Sequence, residues 1–454
     1  DAVTPGLNTV GQIENLSSGR PGFGFLPAGV LPDHVRTAAP SEGTQGAREA
    51  PRAYGVVTNL GSCDLSVIGL KRVADRLANL AVPTPTAVDS PATCGAFPDL
   101  AQVDSCRVGP YMVDPKKELG ASPAFVEVAP WDGPQKDQQG NIVGFTRRAL
   151  VAFPRCGLVA DIDLASGQIK EGVSLRDAAP RVLRGADLAS FTCPAECGGN
   201  KGVLAGMDAN QAGGAPAGLA LDRDGRRLLI ADALGSALLI MDYDDSAMAD
   251  GKRLSNPRLL PLDFAATVTA GQRGLDGVRV SRRGAAGLFA YARARDATVR
   301  VIDLDREKEC ETNPDPRALQ ARFARGDLSV WPDDLIERSL RSLGCFPVGT
   351  IARNPTALSP GIGLAGGSMP TDVAFAQLGV PCDPSDPDCA FNKDLIRDNW
   401  ISPIPQLFVG DYAWILGTNG RAVAVQQADR CPLPSYRACD ADQAAWRRVE
   451  IGRA

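Results

Sequence analysis

Short runs of four to six residues with apolar side chains in alternation or in clusters recur along the chain, separated by Gly, Asp and Asn. Tyr54-Gly-Val-Val-Thr-Asn59 is followed by a turn at Gly61-Ser62 and by Asp64-Leu-Ser-Val-Ile-Gly-Leu70. Arg148 to Leu164 (RALVAFPRCGLVADIDL) repeats the plan, with Ala165-Ser-Gly-Gln168 as its turn. A third copy is fuller: Ala217 to Asp222 reads as an inner strand, Arg223-Asp-Gly225 as a tight turn, then Arg227 to Asp232 and Ala237 to Asp242 as two more strands. The fourth runs from Leu275 to Ser281, turns at Arg282-Arg-Gly284, and continues through Gly287 to Ala292 and Ala297 to Leu304. Pro370 to Ala376 opens another unit, resumed after an insertion by Gln406 to Tyr412 and Arg421 to Gln426. A period near two is that of half-buried strands, and Asp-Gly is a hairpin turn because both central residues tolerate positive φ.

Matching isoleucines at 68, 162, 240 and 302 are 94, 78 and 62 residues apart. A propeller blade needs about 40–50 residues, so the wide gaps hold either inserted loops or degenerate blades. Tyr111 to Val113 and Phe125 to Val128 are the candidates for an extra blade after the first copy, and Val348 to Ala352 for part of one before the last. At Val57-Thr58-Asn59, Gly61-Ser62 and Leu65-Ser66-Val67-Ile68 the chain resembles the YVTN family of β-propeller repeats, with an extra Gly55 after the tyrosine and Gly69 where that family usually has Asp. The resemblance implies an all-β fold, a β-propeller of about seven four-stranded blades, six or eight being the alternatives. The expected organisation is an extended segment over 1–50, a propeller over 51–430 with insertions near 71–147, 176–214 and 305–350, and a C-terminal segment over 431–454 that closes the ring or leads to a further domain. The fold hosts many functions, so it implies little about chemistry.

Composition agrees with this and narrows the setting. The 48 Gly and 35 Pro among 454 residues exceed the about 12% usual for these two types and argue against a helical bundle. A formal charge of −5 provides no field for nucleic acid. No run approaches the ~18 apolar residues of a membrane span, so attachment would be from outside, as by a lipid anchor. The chain opens at Asp1 without an apolar leader, as expected after removal of a signal segment or of a longer N-terminal part.

Twelve cysteines stand against one histidine, mostly in Pro-, Gly- and Asp-rich stretches: Cys63, Cys94, Cys106, Cys156, Cys193, Cys197, Cys310, Cys345, Cys382, Cys389, Cys431 and Cys439. That distribution is expected of disulfides that staple loops in an oxidising compartment, such as periplasm, cell surface or secreted medium. Zinc wants paired close cysteines or histidines, and only Cys193-Pro-Ala-Glu-Cys197 has the spacing. Proximity suggests Cys94–Cys106, Cys193–Cys197, Cys310–Cys345, Cys382–Cys389 and Cys431–Cys439, which leaves Cys63 with Cys156, although spacing alone does not fix connectivity.

Catalytic patterns are sparse. Gly361-Ile-Gly-Leu-Ala-Gly366 has the letters of a dinucleotide loop, with Asp386 and Asp388 about 20 residues on, but Pro355, Pro360 and Pro370 disrupt the strand and helix such a loop needs. His34 is the sole imidazole and reads as a surface residue, and Gly366-Gly-Ser368-Met-Pro370 is no nucleophile elbow. Oxygen-rich loops suit calcium best: Asp383, Asp386 and Asp388 between two cysteines, and Asp242, Asp244, Asp245 and Asp250 in a second turn. No organic cofactor is expected. Trp131, Trp331, Trp400, Trp414 and Trp446 read as lying outside the clear repeat strands, Trp131 and Trp331 as anchors for a partner or as packing under loops, and Asn15-Leu-Ser17 fits a glycosylation acceptor. The sequence therefore points to an extracytoplasmic propeller that binds proteins or assembles a cell-envelope or secreted surface complex. The alternative is a metal-dependent propeller enzyme, lactonase-like or sugar-oxidising, with axial carboxylates.

Overall fold

The computed structural model describes residues within 32–69, 105–109, 122–164, 166–193, 214–310, 361–378 and 410–427, with short interruptions. These residues are almost entirely β, as expected from the pattern of short strands, and they divide into two compact units, Asp1–Leu259 and Leu260–Ala454.

The first unit holds three antiparallel sheets. One runs in chain order through β1 (Pro32–Ala38), β2 (Tyr54–Asn59), β3 (Asp64–Gly69) and β4 (Ser105–Val108). Its first strand falls within the stretch 1–50 that the pattern alone leaves outside the propeller. The second sheet starts at β5 (Phe125–Val128), makes a side hairpin of β6 (Pro134–Lys136) and β7 (Ile142–Phe145), and continues through β8 (Arg148–Phe153), β9 (Leu158–Asp163), β10 (Ile169–Ser174) and β11 (Arg181–Leu183). A six-residue helix α1 (Gly185–Ser190) follows. The third sheet is β12 (Pro216–Asp222), β13 (Arg227–Asp232), β14 (Ala237–Tyr243) and β15 (Leu254–Pro261).

Why β8 reads as an unbroken apolar run, rather than an alternating one, follows from stacking. Successive side chains point to opposite faces, and both faces of this strand are covered. Ala149, Val151 and Phe153 pack with Tyr54, Val56, Val67 and Cys106 of the first sheet. Leu150 and Ala152 pack the other way, with Leu219, Leu228 and Ile230 of the third. A strand sandwiched between two neighbours must be apolar throughout. The charged exception, Arg148, lies 3.1 Å from Asp161 of β9, and both side chains are buried.

The second unit holds two sheets. β16 (Leu275–Val280), β17 (Phe289–Ala294) and β18 (Thr298–Asp303) are joined by a divided outer strand: β19 (Lys308–Glu309) pairs with one end of β18 and β20 (Ile362–Gly363) with the other. The last sheet is β21 (Pro370–Leu378), β22 (Gly410–Gly417) and β23 (Ala422–Gln427). Phe289, Tyr291, Val299 and Val301 pack with Val373, Ala413 and Ile415 in the core between these two sheets.

Face-to-face stacking of antiparallel meanders is the β-propeller architecture, and the described residues form five blades rather than about seven. The difference has a physical source. Phe125–Val128 does not begin an additional blade; it pairs with β8 as the first strand of the same sheet. Among the described residues, the spacings between repeat copies hold first and fourth strands of the blades, a hairpin and a short helix; the other segments considered for extra blades, Tyr111 to Val113 and Val348 to Ala352, lie outside the described residues.

Candidate functional site

Within each unit, side chains of the first strands meet those of the neighbouring blade's first strand. In the first unit, β5 lies against both β1 and β12. Arg36 of β1 pairs with Glu127 of β5 at 3.3 Å, and the His34 ring meets Phe125 edge-on at 5.7 Å. His34 is thus half-buried in a blade strand rather than a surface residue of an extended segment. Behind it, the buried Thr58 hydroxyl accepts the His34 backbone N–H at 3.1 Å and donates to the Ala124 carbonyl at 2.9 Å, tying the two first strands together.

Between the second and third blades the tie is ionic and deeper. One oxygen of the buried Glu171 accepts the Leu254 N–H at 2.8 Å, while the other accepts from Arg184 at the same distance, and Arg184 also donates to the Leu254 carbonyl. Both polar groups of one β15 residue are therefore satisfied by the neighbouring blade.

In the second unit, the Arg279 guanidinium of β16 holds Asp372 of β21 through two hydrogen bonds of 3.1 and 3.3 Å. Burial acts to raise the Asp372 carboxyl, but the hydrogen bond and charge of Arg279, the Val373 N–H and the charge of Arg293 outweigh it and keep the group below its ordinary range. Asp276 goes the other way: burial raises it, and the opposing charges of Arg295 and Arg293 only partly offset that. Arg293 reaches from β17 across Gly277, donating to the Asp276 carbonyl at 2.8 Å and to the Thr371 carbonyl of the next blade. A Cβ on Gly277 would sit 2.5 Å from Arg293 Nη2, so a larger residue there would displace the guanidinium. Deeper in this unit, the fully buried Arg300 donates to Asp296 at 3.0 Å, to Glu309 at 3.1 Å and to the Asp263 carbonyl at 2.6 Å, and stacks on Phe264. Burial raises the Glu309 carboxyl despite these contacts.

Several residues singled out in the sequence take structural roles. Cys156 is bonded to Cys193, so neither Cys63–Cys156 nor Cys193–Cys197 forms; sequence proximity fails because the segment after β11 folds back onto the start of β9. Cys63, Cys106 and Cys310 are also disulfide-bonded. Cys94, Cys197, Cys345, Cys382, Cys389, Cys431 and Cys439 lie outside the described residues, as do Asp383, Asp386 and Asp388, Asp245, Asp250, Trp131, Trp331, Trp400 and Trp446. Asp242 is engaged by Arg258 at 2.7 Å and Asn256 at 3.1 Å. Among the described residues no three His, Cys, Asp or Glu side chains converge as metal ligands. Ser368 is buried and accepts the Asn419 N–H at 3.3 Å, a turn contact. Gly363 belongs to the edge strand β20 and Gly361 to the bend before it, where a Cβ would meet Thr298 at 2.9 Å. Trp414 sits within β22, contrary to the expectation that every tryptophan lies outside the repeat strands.

The first strands are only partly legible in the sequence, yet they share a signal. Leu31-Pro-Asp-His-Val-Arg-Thr-Ala38, Ser122-Pro-Ala-Phe-Val-Glu-Val-Ala129, Ala215-Pro-Ala-Gly-Leu-Ala-Leu-Asp222, Gly274-Leu-Asp-Gly-Val-Arg-Val-Ser281 and Met369-Pro-Thr-Asp-Val-Ala-Phe-Ala376 align without gaps. Pro or Leu holds the second place and Val or Leu the fifth. In β1, β12, β16 and β21 the register breaks at the third place, a bulge that shifts the side chains following it.

No protein-family model matches the chain, and no curated protein does. Among solved structures, Saccharomyces cerevisiae Sqt1 is 11% identical over 64% of this chain and 50% of its own, with a TM-score of 0.30. BBS1N in complex with ARL6DN is 11% identical over 61% and 53%, with a TM-score of 0.27. A luciferin-regenerating enzyme is 12% identical over 63% of each chain, with a TM-score of 0.25. The chain thus spans between half and two thirds of the length of these structures. Superposition this loose adds nothing to the strand pairing, on which the fold assignment rests.

Proposed function

We propose that the protein is an extracytoplasmic β-propeller that binds proteins, as a module of a cell-envelope or secreted surface complex. The observation that carries this reading is the Cys156–Cys193 bond, which clamps the excursion bearing α1 onto the second blade. Stable disulfides belong to oxidising compartments, and ordered excursions on a rigid scaffold are where recognition concentrates. The same excursion is braced by Arg176, whose guanidinium donates to the Cys156 carbonyl at 2.7 Å and lies over the Phe191 ring. Its outer face, Gly185, Ala186, Asp187, Ala189 and Ser190, is exposed. A second support is that the polar groups of the first strands are engaged between blades, which makes the stacked sheets a frame. Calcium at Asp383, Asp386 and Asp388 forms part of this proposal.

Affinity purification of the tagged protein from native envelope and medium fractions, with mass spectrometry of co-eluting chains, tests the reading. A stoichiometric protein partner, lost when residues 185–190 are replaced by a Gly-Ser segment of equal length, is the expected result. Recovery only from cytoplasm with free thiols at Cys156 and Cys193 would overturn the location, and recovery of the chain alone from every fraction would overturn the binding role. For calcium, the melting temperature should fall on adding EDTA and be restored by millimolar Ca²⁺; an unchanged value removes the ion.

A further inference from the structure

We propose that the segment Trp446–Ile451 adds a fourth strand to the last sheet by pairing with the open edge of β23. In every other blade the third strand has a neighbour on each side: β3 lies between β2 and β4, β9 between β8 and β10, β14 between β13 and β15, and β18 between β17 and the divided strand of β19 and β20. Among the described residues β23 pairs with β22 alone. Burial registers the difference. β9 and β18 are buried along nearly all of their length, whereas Ala422, Val423, Ala424 and Val425 of β23 are each half-buried. Val423 and Val425 already pack against the neighbouring sheet, so the cover they lack is beside them, at the edge.

An open edge presents a row of N–H and C=O groups to any passing strand, and proteins blunt such edges with short strands, proline or charge. The outermost strands of the other blades have those devices: β4 has four residues, β11 three, β19 and β20 two each, and β15 contains Pro257 and Pro261. β23 reads Ala-Val-Ala-Val-Gln-Gln over six residues, with no proline and no charge. Its composition suits a strand paired on both sides. The sequence that follows offers a partner. Residues 428–445 include Pro432 and Pro434 and no β-branched residue, whereas Trp446-Arg-Arg-Val-Glu-Ile451 combines an aromatic residue with Val449 and Ile451 two positions apart, before Gly452. The 18 residues between Gln427 and Trp446 fall within the 4 to 35 that separate third from fourth strands in the other blades. A tethered segment has an effective concentration in the millimolar range, which favours it over a second copy of the chain or a separate peptide at the same edge. Arg448 and Glu450, alternating with Val449 and Ile451, give the new outer edge the charge that β23 lacks. The inference stands whichever protein the chain binds.

The test is amide hydrogen exchange of the full chain, read by peptide mass spectrometry at two protein concentrations. Residues 422–427 and 446–451 should both exchange about tenfold or more slowly than an unpaired chain, to the same degree at either concentration. Val449→Pro and Glu450→Pro, made separately, remove neighbouring N–H groups that point to opposite sides of a strand, so at least one of them interrupts the ladder. That variant should speed exchange over 422–427 about tenfold while leaving β13, in the other unit, unchanged. Exchange of 446–451 at the unpaired rate overturns the proposal, as does protection of β23 that neither proline alters. Protection of β23 that grows with protein concentration also overturns it, because it marks a second copy on that edge. Should the proline variants fail to fold, shown by lost protection of β13, Val449→Gly replaces them: exchange should rise over both segments together, and a rise over 446–451 alone overturns the pairing.

Discussion

The junction between the first two blades and that between the last two are built from the same strand positions with different chemistry. At the first, Arg36 faces Glu127, His34 faces Phe125, and Thr58 closes the backbone behind them. At the second, Arg279 takes Asp372, but Arg293 crosses over Gly277 and adds a guanidinium that carbonyls hold. The positions sixth in the aligned strands are Arg36, Glu127 and Arg279; those fourth are His34, Phe125, Gly277 and Asp372. The strands align, and the identity of their side chains decides whether a junction is closed between two sixth-place residues, as Arg36 and Glu127, or by a sixth-place arginine reaching a fourth-place aspartate, as Arg279 and Asp372.

The buried arginines behind the two junctions offer the harshest way to break the comparison. Arg148→Met leaves Asp161 charged in the core, and Arg300→Met leaves Asp296 and Glu309 without their cation, so each should cost about 3–5 kcal/mol in denaturant unfolding at pH 7. Glu309 already binds its proton more readily than an ordinary carboxylate, so the Arg300→Met deficit should shrink as pH falls toward the carboxylate range. An Arg300→Met deficit that stays constant with pH would refute this.

Replacing Cys156 and Cys193 together by Ser should cost about 2–4 kcal/mol, confined to the first unit. Limited proteolysis should then cut within 184–193 first; an unchanged digestion pattern would show that the bond does not hold the excursion. Thr58→Val keeps the shape but orphans the His34 N–H and the Ala124 carbonyl, for about 1–3 kcal/mol, and an effect under a few tenths would mean water replaces the hydroxyl.

The smallest effects should come from the two aspartates of the second junction, with opposite pH behaviour. Asp372 titrates below its usual 3.8 in the folded chain, so its contribution is present above that value and lost as pH falls through the folded value. Asp372→Asn should therefore lower the melting temperature at pH 7 and converge on the parent below about pH 4. Asp276 titrates above 3.8, so its contribution is greatest at acid pH and is lost as pH rises through its folded value. Asp276→Asn should be neutral or stabilising at pH 7. The same sign for both substitutions at neutral pH would break the contrast.

Local features of the fold are legible in the pattern of residues. The segments at 54–59, 64–69, 148–153, 158–163, 227–232 and 298–303 are strands where the pattern places them. Ala217 to Asp222 is recognisable as a first strand, and Pro370 to Ala376 as the opening of a unit. Membership in a blade is not legible in the same way. Phe125–Val128 has the same local character whether it starts a blade or completes one, and only its pairing with β8 decides. His34 looks peripheral in the sequence because nothing within ten residues of it is a repeat strand; its partner Thr58 is 24 positions away. Arg293 does not read as an inter-blade tie in the sequence, since its contacts are the Asp276 carbonyl, 17 residues earlier, and the Thr371 carbonyl, 78 residues later.

The amino-acid sequence by itself determined that the fold is all-β, where many of its strands run and turn, and that the cysteines among the described residues are disulfide-bonded, because strand period, turn conformation and thiol chemistry are local properties. Tertiary structure alone decided that the described residues make five blades, that Cys156 takes Cys193, and that Arg36 meets Glu127 at one junction while Arg279 meets Asp372 at another. Those outcomes depend on which distant segments share a face, and pairing free energy is set by both partners together, never by either one.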